Sequence, residues 1–196
     1  MNRLALVALL TAAALSACGS GSPPPRLYHL RSTAPASAPP APAWAGAPWQ
    51  LAAPLRLPEY LDRDAILAPE GQAGLRPLAG HRWAEPLAEG VPRVLRQDLA
   101  ALLGEGAVWQ GPLPAGQAAA GQLRLEITAF EATPDLRSVR LSARWSITTP
   151  ARAPRSESRS VEVPVAGAEV DALVAAHRVA LWRLAEALAQ SLRGGA

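Results

Sequence analysis

Two neighbouring segments in the second half of the chain alternate strictly between apolar and polar residues. Residues 123–128 and 139–147 both follow this pattern, and Pro134-Asp135 lies between them. Because successive side chains of a strand point to opposite faces, a period of two predicts an antiparallel pair of half-buried strands. The buried face of such a pair needs a cover, so this pattern constrains the fold more than any other feature.

Helical periodicity in two segments predicts that cover. Apolar residues recur at three- and four-residue steps over residues 87–103, and Gly104 ends the pattern. Pro92 lies inside this segment, so either the helix is kinked there or its regular part begins there. A longer amphipathic helix runs from Val170 until Gly194-Gly195 stops it. Packing of this helix on the sheet is favoured over a coiled-coil seam.

Shorter segments complete the order of elements. Further strands are predicted at residues 27–30, 49–57, 65–68, 75–78, 107–109 and 161–165. The third and fourth of these form a loose hairpin around Gly71 and Gly74, and an Arg-Ser-rich turn is predicted at residues 152–160. This order predicts an α/β fold, a single-domain sandwich with a mixed, partly antiparallel sheet and two main helices.

The N-terminus has the pattern of a bacterial lipoprotein signal. Arg3 precedes an apolar run over residues 4–15, and Leu15-Ser16-Ala17-Cys18 matches the lipobox, in which the chain is cut before an acylated cysteine. The run is shorter than the roughly 20 residues that span a bilayer and suits a signal peptide. An ordinary secretory signal with a stray cysteine is the alternative. We expect cleavage between Ala17 and Cys18, with diacylglycerol and an N-acyl group on Cys18.

The segments after the lipobox predict the location and the domain boundaries. Gly19, rather than Asp, follows the cysteine, which predicts sorting to the outer membrane with the folded part on its periplasmic face. Residues 1–17 are then the removed signal, 18–26 a lipidated flexible tether and 27–193 one folded domain. A Pro/Ala-rich loop within this domain is predicted at residues 32–48, because proline disfavours both helix and sheet.

Residues that carry chemistry are few and scattered. The chain has no lysine, which excludes a Schiff base and a P-loop. His29, His81 and His177 are far apart, and none stands at metal-ligand spacing from a second ligand. His177 falls on the apolar face of the last helix and is interpreted as a packing residue, while Asp62 and Asp64 fit a solvated turn. Basic residues are interspersed with acidic ones, so we expect no nucleic-acid partner. Because the residues that carry chemistry are few and scattered, we also expect no metal and no enzymatic activity.

Three stretches resemble landmarks of one protein family. Residues 57–67 read Leu-Pro-Glu-Tyr-Leu-Asp-Arg-Asp-Ala-Ile-Leu, which resembles the "LP-x-YLDR-x-x-IV" motif of the PqiC-like ABC-type transport auxiliary lipoproteins. Residues 82–87 read Arg-Trp-Ala-Glu-Pro-Leu and resemble the second landmark, which enters a helix. Residues 27–30 stand where the family has its first strand. The chain departs from the pattern at Asp64, where proline is common, and in the length of the loop at 32–48.

This resemblance implies a function without catalysis. Family members serve importer-like lipid-trafficking machines that combine an ABC transporter with mammalian-cell-entry (MCE) proteins, which form a tunnel across the periplasm. The implied role is an adaptor that docks an MCE-domain protein at the outer membrane, with a homo-oligomeric ring as one arrangement. A lipoprotein that itself carries a lipid, and a structural lipoprotein of an unrelated envelope machine, are the other hypotheses.

The landmarks also supply candidate contact residues. Those proposed to contact a partner are Tyr60, Leu61, Asp62, Arg63, Trp83 and Glu85. Aromatic residues and arginine are enriched at interface hot spots, which favours this interpretation. The structural alternative is that Asp62 caps a turn or pairs with Arg63, that Trp83 fills the core, and that Pro86 begins a helix.

Overall fold

The alternating pair of segments forms the centre of the larger of two sheets. The computed structural model describes residues 23–31 and 42–194. Strand β6 (Gly121–Ala132) pairs antiparallel with β7 (Ser138–Thr149). The apolar positions of both strands are buried and the polar positions lie on the opposite face, as the period of two predicts. The turn between them falls at residues 133–137, where Thr133 Oγ1 donates to Asp135 Oδ1 at 2.6 Å.

Five strands make up this sheet, in the order β5-β2-β6-β7-β8. The remaining three are β2 (Trp49–Leu51), β5 (Val108–Gln110) and β8 (Arg152–Pro164). β2 is parallel to both of its neighbours, whereas β6, β7 and β8 are antiparallel. Within the described part of the chain, β8 therefore forms one edge of the sheet.

A second, three-stranded sheet has the order β1-β4-β3. Its strands are β1 (Arg26–Tyr28), β3 (Ala65–Glu70) and β4 (Gly74–Trp83). β3 and β4 form the predicted hairpin, and β1 joins β4 in parallel. The predicted α/β class is confirmed, but the strands are divided between two mixed sheets instead of forming one.

Two helices cover the buried face of the large sheet. Helix α1 (Leu87–Leu103) packs against α2 (Val170–Arg193), and α2 packs on β7 and β8. Apolar side chains of both helices and both sheets form one continuous core, so the prediction that the last helix packs on the sheet is confirmed. The predicted end of α1 also holds: Gly104 has a φ of +111°, and a β-carbon there would lie 2.3 Å from the Pro42 carbonyl oxygen.

The prediction of a turn at residues 152–160 is wrong. These residues are the first part of β8 and pair with β7, for example Arg155 with Ile147 and Glu157 with Trp145. Both faces of this part are exposed, so its side chains have no hydrophobic period. The backbone ladder with β7, rather than burial, holds the segment in a strand.

Two further expectations need correction. The strand predicted at residues 49–57 ends at Leu51, because Pro54 has no N–H to donate to a ladder, and pairing resumes only as a bridge between Arg56 and Glu126. Of the two alternatives for Pro92, the one in which the regular helix begins there is wrong, because α1 begins at Leu87 and this proline lies within its first two turns.

Candidate interaction site

The three landmark stretches lie side by side on the small sheet. Tyr28 of β1 is opposite Trp83 of β4, and the amide of Ala84 donates to the Tyr28 carbonyl at 2.6 Å. The Trp83 amide donates to the Asp64 carbonyl at 2.6 Å, while the Arg82 and Asp64 side chains form an exposed ion pair. Segments separated along the sequence by tens of residues therefore form one local structure.

The first landmark contains a short 3-10 turn, Glu59–Leu61. The Asp62 amide donates to the Glu59 carbonyl at 3.0 Å, so Asp62 caps the turn through its backbone. Leu61 is buried in the core. The hydroxyl of the half-buried Tyr60 donates to Glu131 Oε2 at 2.9 Å, and burial together with this carboxylate raises the pKa of Tyr60. Tyr60 thus serves as a neutral donor that ties the turn to β6.

The second landmark places an aromatic residue inside the core. Trp83 is 5 % exposed and contacts the His177 ring edge-on, with 5.6 Å between the ring centroids. His177 also contacts Phe130 at 4.9 Å, and its Nδ1 donates to the Leu173 carbonyl at 2.8 Å. Burial lowers the pKa of His177 to about 4. The interpretation of His177 as a packing residue agrees with these contacts.

The low pKa of His177 predicts a stability change in acid. An unfolded histidine titrates near 6.5, so below that pH the unfolded state takes up a proton that the folded state resists until about pH 4. Neutral His177 therefore makes its full contribution to the free energy of unfolding above pH 6.5. This contribution, about 3 kcal/mol, is lost as the pH falls towards 4. Between pH 7 and pH 4, we expect the unfolding free energy of wild type minus that of His177→Phe to fall by this amount in urea titrations.

The difference between wild type and His177→Phe removes the contributions of the other titrating groups, because these groups contribute equally to both proteins. One of them opposes the histidine: burial raises the pKa of Asp98 to about 6 although Arg178 lowers it. Asp98 therefore adds stability as the pH falls through 6, so the difference between the two proteins, rather than the stability of the wild type alone, reports the histidine. Parallel pH curves for the two proteins would contradict the prediction.

Glu85 links the second landmark to the first helix and, through Arg93, to the segment that follows β1. It forms an ion pair with Arg93 of α1, and Arg93 Nη2 also donates to the Leu30 carbonyl at 3.4 Å. Leu30 is 1 % exposed. Pro86 directly precedes α1, as the structural alternative expected.

The solvent-exposed part of the landmarks is smaller than the sequence suggested. Of the six candidate contact residues, Leu61 and Trp83 are buried, while Tyr60 and Glu85 are half-buried and bonded within the fold. Asp62 and Arg63 are exposed, and no ion pair among the described residues joins them. These two side chains remain the candidates for contact with a partner. The lipobox residues Ala17 and Cys18 lie outside the described part of the chain.

A buried ion pair between the two helices was missed in the sequence. Asp98 of α1 is fully buried and accepts two bonds from Arg178 of α2, Nη1 to Oδ2 at 2.9 Å and Nη2 to Oδ1 at 2.5 Å. The Arg178 guanidinium also lies 5.9 Å from the Trp182 ring centroid. The available signal was the position of Asp98 on the apolar face of α1, directly before Leu99, where a charge requires a buried partner.

Residues 23–31 and 42–194 contain no cluster of three or more His, Cys, Asp or Glu side chains that could hold a metal ion. None of the helices described there is long and apolar enough to cross a membrane.

Comparison with known proteins identifies the family. The model of the ABC-type transport auxiliary lipoprotein component family matches residues 28–189, and the chain belongs to this family. It is therefore a lipoprotein component that associates with an ABC-type transporter, which confirms the resemblance found in the sequence.

Solved structures share the fold. An uncharacterized protein superimposes with a TM-score of 0.68 at 17 % identity, over 86 % of this chain and 99 % of its own. A Xanthomonas campestris protein of the DUF330 family superimposes with a TM-score of 0.62 at 17 % identity, over 84 % of this chain and 92 % of its own. No curated protein matches the chain.

Proposed function

We propose that this protein is a non-enzymatic adaptor that docks the periplasmic tunnel of an ABC-type MCE lipid transport system to the outer membrane. The observation that carries the proposal is the family match over residues 28–189, which begins ten residues after the cysteine of a lipobox at residues 15–18. An auxiliary component needs attachment and contact surfaces rather than reactive groups. The scattered histidines and the absence of lysine are consistent with that requirement.

The proposed attachment is the acylated Cys18. Each buried CH₂ contributes about 0.8 kcal/mol, and two or more acyl chains hold a protein stably on a bilayer. Residues 18–25 precede β1, and an extended chain spans at most about 3.5 Å per residue. The folded domain would thus stay within reach of the membrane surface, where the end of a tunnel rooted in the inner membrane could contact it.

The proposed contact with the MCE-domain protein includes Asp62 and Arg63. Both are exposed and follow a turn that Tyr60 and Leu61 fasten to the core. A rigid support of this kind reduces the entropy lost when a side chain binds a partner. The neighbouring landmark residues then act by holding the turn in place.

A pulldown tests this contact. We expect the wild-type protein, purified from membranes in mild detergent, to recover an MCE-domain protein, and the Asp62→Ala/Arg63→Ala variant to recover about tenfold less, equivalent to about 1.4 kcal/mol. The matched control is Glu70→Ala/Arg76→Ala, an exposed pair of opposite charges on the β3–β4 hairpin. If the wild-type sample contains no MCE-domain protein, the adaptor proposal is wrong.

A lipid carrier is the second candidate, and its requirement is a roomy apolar pocket. The crevice between the small sheet and α2, beside Tyr60, Trp83 and His177, has a volume of about 10 Å³, roughly the room of one water molecule. Sites for small ligands usually have about 300–1,000 Å³. This crevice is thus too small to hold an acyl chain, and stoichiometric lipid in an organic extract of the purified protein would favour the carrier over the adaptor.

A further inference from the structure

The backbone of β8 presents free hydrogen-bonding groups along the edge of the large sheet. On β7, Ser138 bonds to Thr133 on the β6 side, so even-numbered residues of β7 face β6 and odd-numbered ones face β8. The odd residues of β7 lie opposite odd residues of β8, such as Leu141 opposite Val161. The even residues of β8 consequently direct their N–H and C=O groups away from the sheet.

A side-chain contact agrees with this assignment. Arg183 of α2 reaches the free edge and donates from Nη1 to the Glu162 carbonyl at 3.2 Å. At the other end of the edge, Pro154 has no N–H to offer. Between these two points, the amides and carbonyls of Ser156, Ser158 and Ser160 point away from β7 by this assignment, and no hydrogen bond joins them to a group in the described ranges.

A groove lies at one end of this open edge, beside Ser160. It has a volume of about 440 Å³ and lies between β8 and α2. Its lining includes Arg159, Ser160 and Val161 of the strand and Arg183, Glu186 and Gln190 of the helix. An extended chain lying in the groove would have the strand edge on one side and the outer face of α2 on the other.

The charges around the groove favour an acidic occupant by a small margin of formal charge. Glu162 is paired with Arg140 at 3.3 Å. Glu186 accepts a bond from the neutral Trp182 indole at 3.0 Å and keeps its negative charge, so two arginines of the lining stand against one unpaired carboxylate. Arg159, by contrast, is exposed and pairs with no acidic side chain among the residues described. Arg183 makes its bond with a carbonyl, and no ion pair joins it to an acidic side chain within the described ranges.

We propose that the free edge of β8 is a binding site for an extended, acidic segment of another protein, which adds as a further strand. Main-chain bonds to Ser156, Ser158 and Ser160 would provide affinity, and carboxylates facing Arg159 and Arg183 would provide selectivity. Exposed edges of this length are open to pairing with other chains. The site is separate from the proposed Asp62–Arg63 contact and does not depend on it.

The probe is a fluorescent peptide, acetyl-Thr-Glu-Val-Glu-Val-Glu-Thr-amide, added to the full-length protein in mild detergent. We expect binding at least tenfold tighter than that of the same peptide with lysine in place of glutamate. Bound peptide should slow hydrogen exchange of the amides of Ser156, Ser158 and Ser160. Arg159→Glu should weaken binding at least tenfold.

A proline variant isolates the backbone contribution. The N–H of Ser158 is outside the β7 ladder, so Ser158→Pro should keep the fold, as judged by its thermal unfolding, and abolish binding. Ser158→Ala keeps the amide and should bind like wild type. Equal binding of the two peptides, unchanged exchange at the three serines, or occupation of the edge by a second copy in light scattering would overturn the proposal.

Discussion

Replacing Asp98 with alanine lowers the free energy of unfolding by about 3–5 kcal/mol at pH 7, as expected when one partner of a buried ion pair is removed. Arg178, whose side chain is 13 % exposed, would keep its charge in the interface between α1 and α2 without the carboxylate that it binds through two hydrogen bonds. Urea denaturation followed by circular dichroism measures the loss.

Two matched variants separate the buried charge from lost packing. Asp98→Leu combined with Arg178→Met removes both charges, and its stability should return close to that of wild type, because apolar residues can replace a buried pair. Glu162→Gln breaks an exposed pair with Arg140 and should cost less than about 1 kcal/mol. If Asp98→Ala costs no more than Glu162→Gln, the pair does not hold the helices together.

Removing the thiol of Cys18 should have the largest effect on location. We expect wild-type protein to incorporate labelled palmitate and to sediment with membranes, and Cys18→Ala to incorporate none and to appear in the soluble fraction, since the acyl chains supply the attachment. Ser16→Ala changes a neighbouring lipobox position while keeping a small residue there, and it should be labelled like wild type. A labelled or membrane-bound Cys18→Ala protein would contradict the lipobox assignment.

The parts of the fold that were predictable from the sequence are those in which burial repeats with the backbone. In β7, and in β6 as far as Ile127, every second side chain enters the core, so the strands follow from the alternation alone. Both helices were found for the same reason, with Gly104 marking the end of α1. Where one face of a helix or strand is buried and the other is exposed to solvent, its apolar residues must recur with the period of that element.

Other parts depend on contacts that a local pattern does not contain. Residues 152–160 form a strand because β7 supplies a ladder, although neither face is buried. The division into two sheets depends on β1 joining β4 across more than fifty residues of sequence, with Tyr28 opposite Trp83. Asp98 could be recognised as unusual on an apolar face, but its partner on α2 required the packing of the helices.

In the candidate site, too, the sequence predicted the grouping of the motifs but not which of their side chains are buried. The landmarks were recognised as a unit from residue types and spacing, and the structure brings them together on the small sheet. Which of their side chains face solvent could not be determined from one sequence. Trp83 and Leu61 are buried in the core, whereas Asp62 and Arg63 remain accessible, so most of the motif holds the fold together.

The most direct test of the adaptor proposal is whether the protein joins a transporter component to the outer membrane. Membranes from gently lysed cells would be separated by density, and the MCE-domain protein quantified in the outer-membrane fraction. The account predicts that this protein is present there with the wild-type lipoprotein and is lost from that fraction in cells that carry Cys18→Ala. An unchanged distribution of the MCE-domain protein in those cells would contradict it.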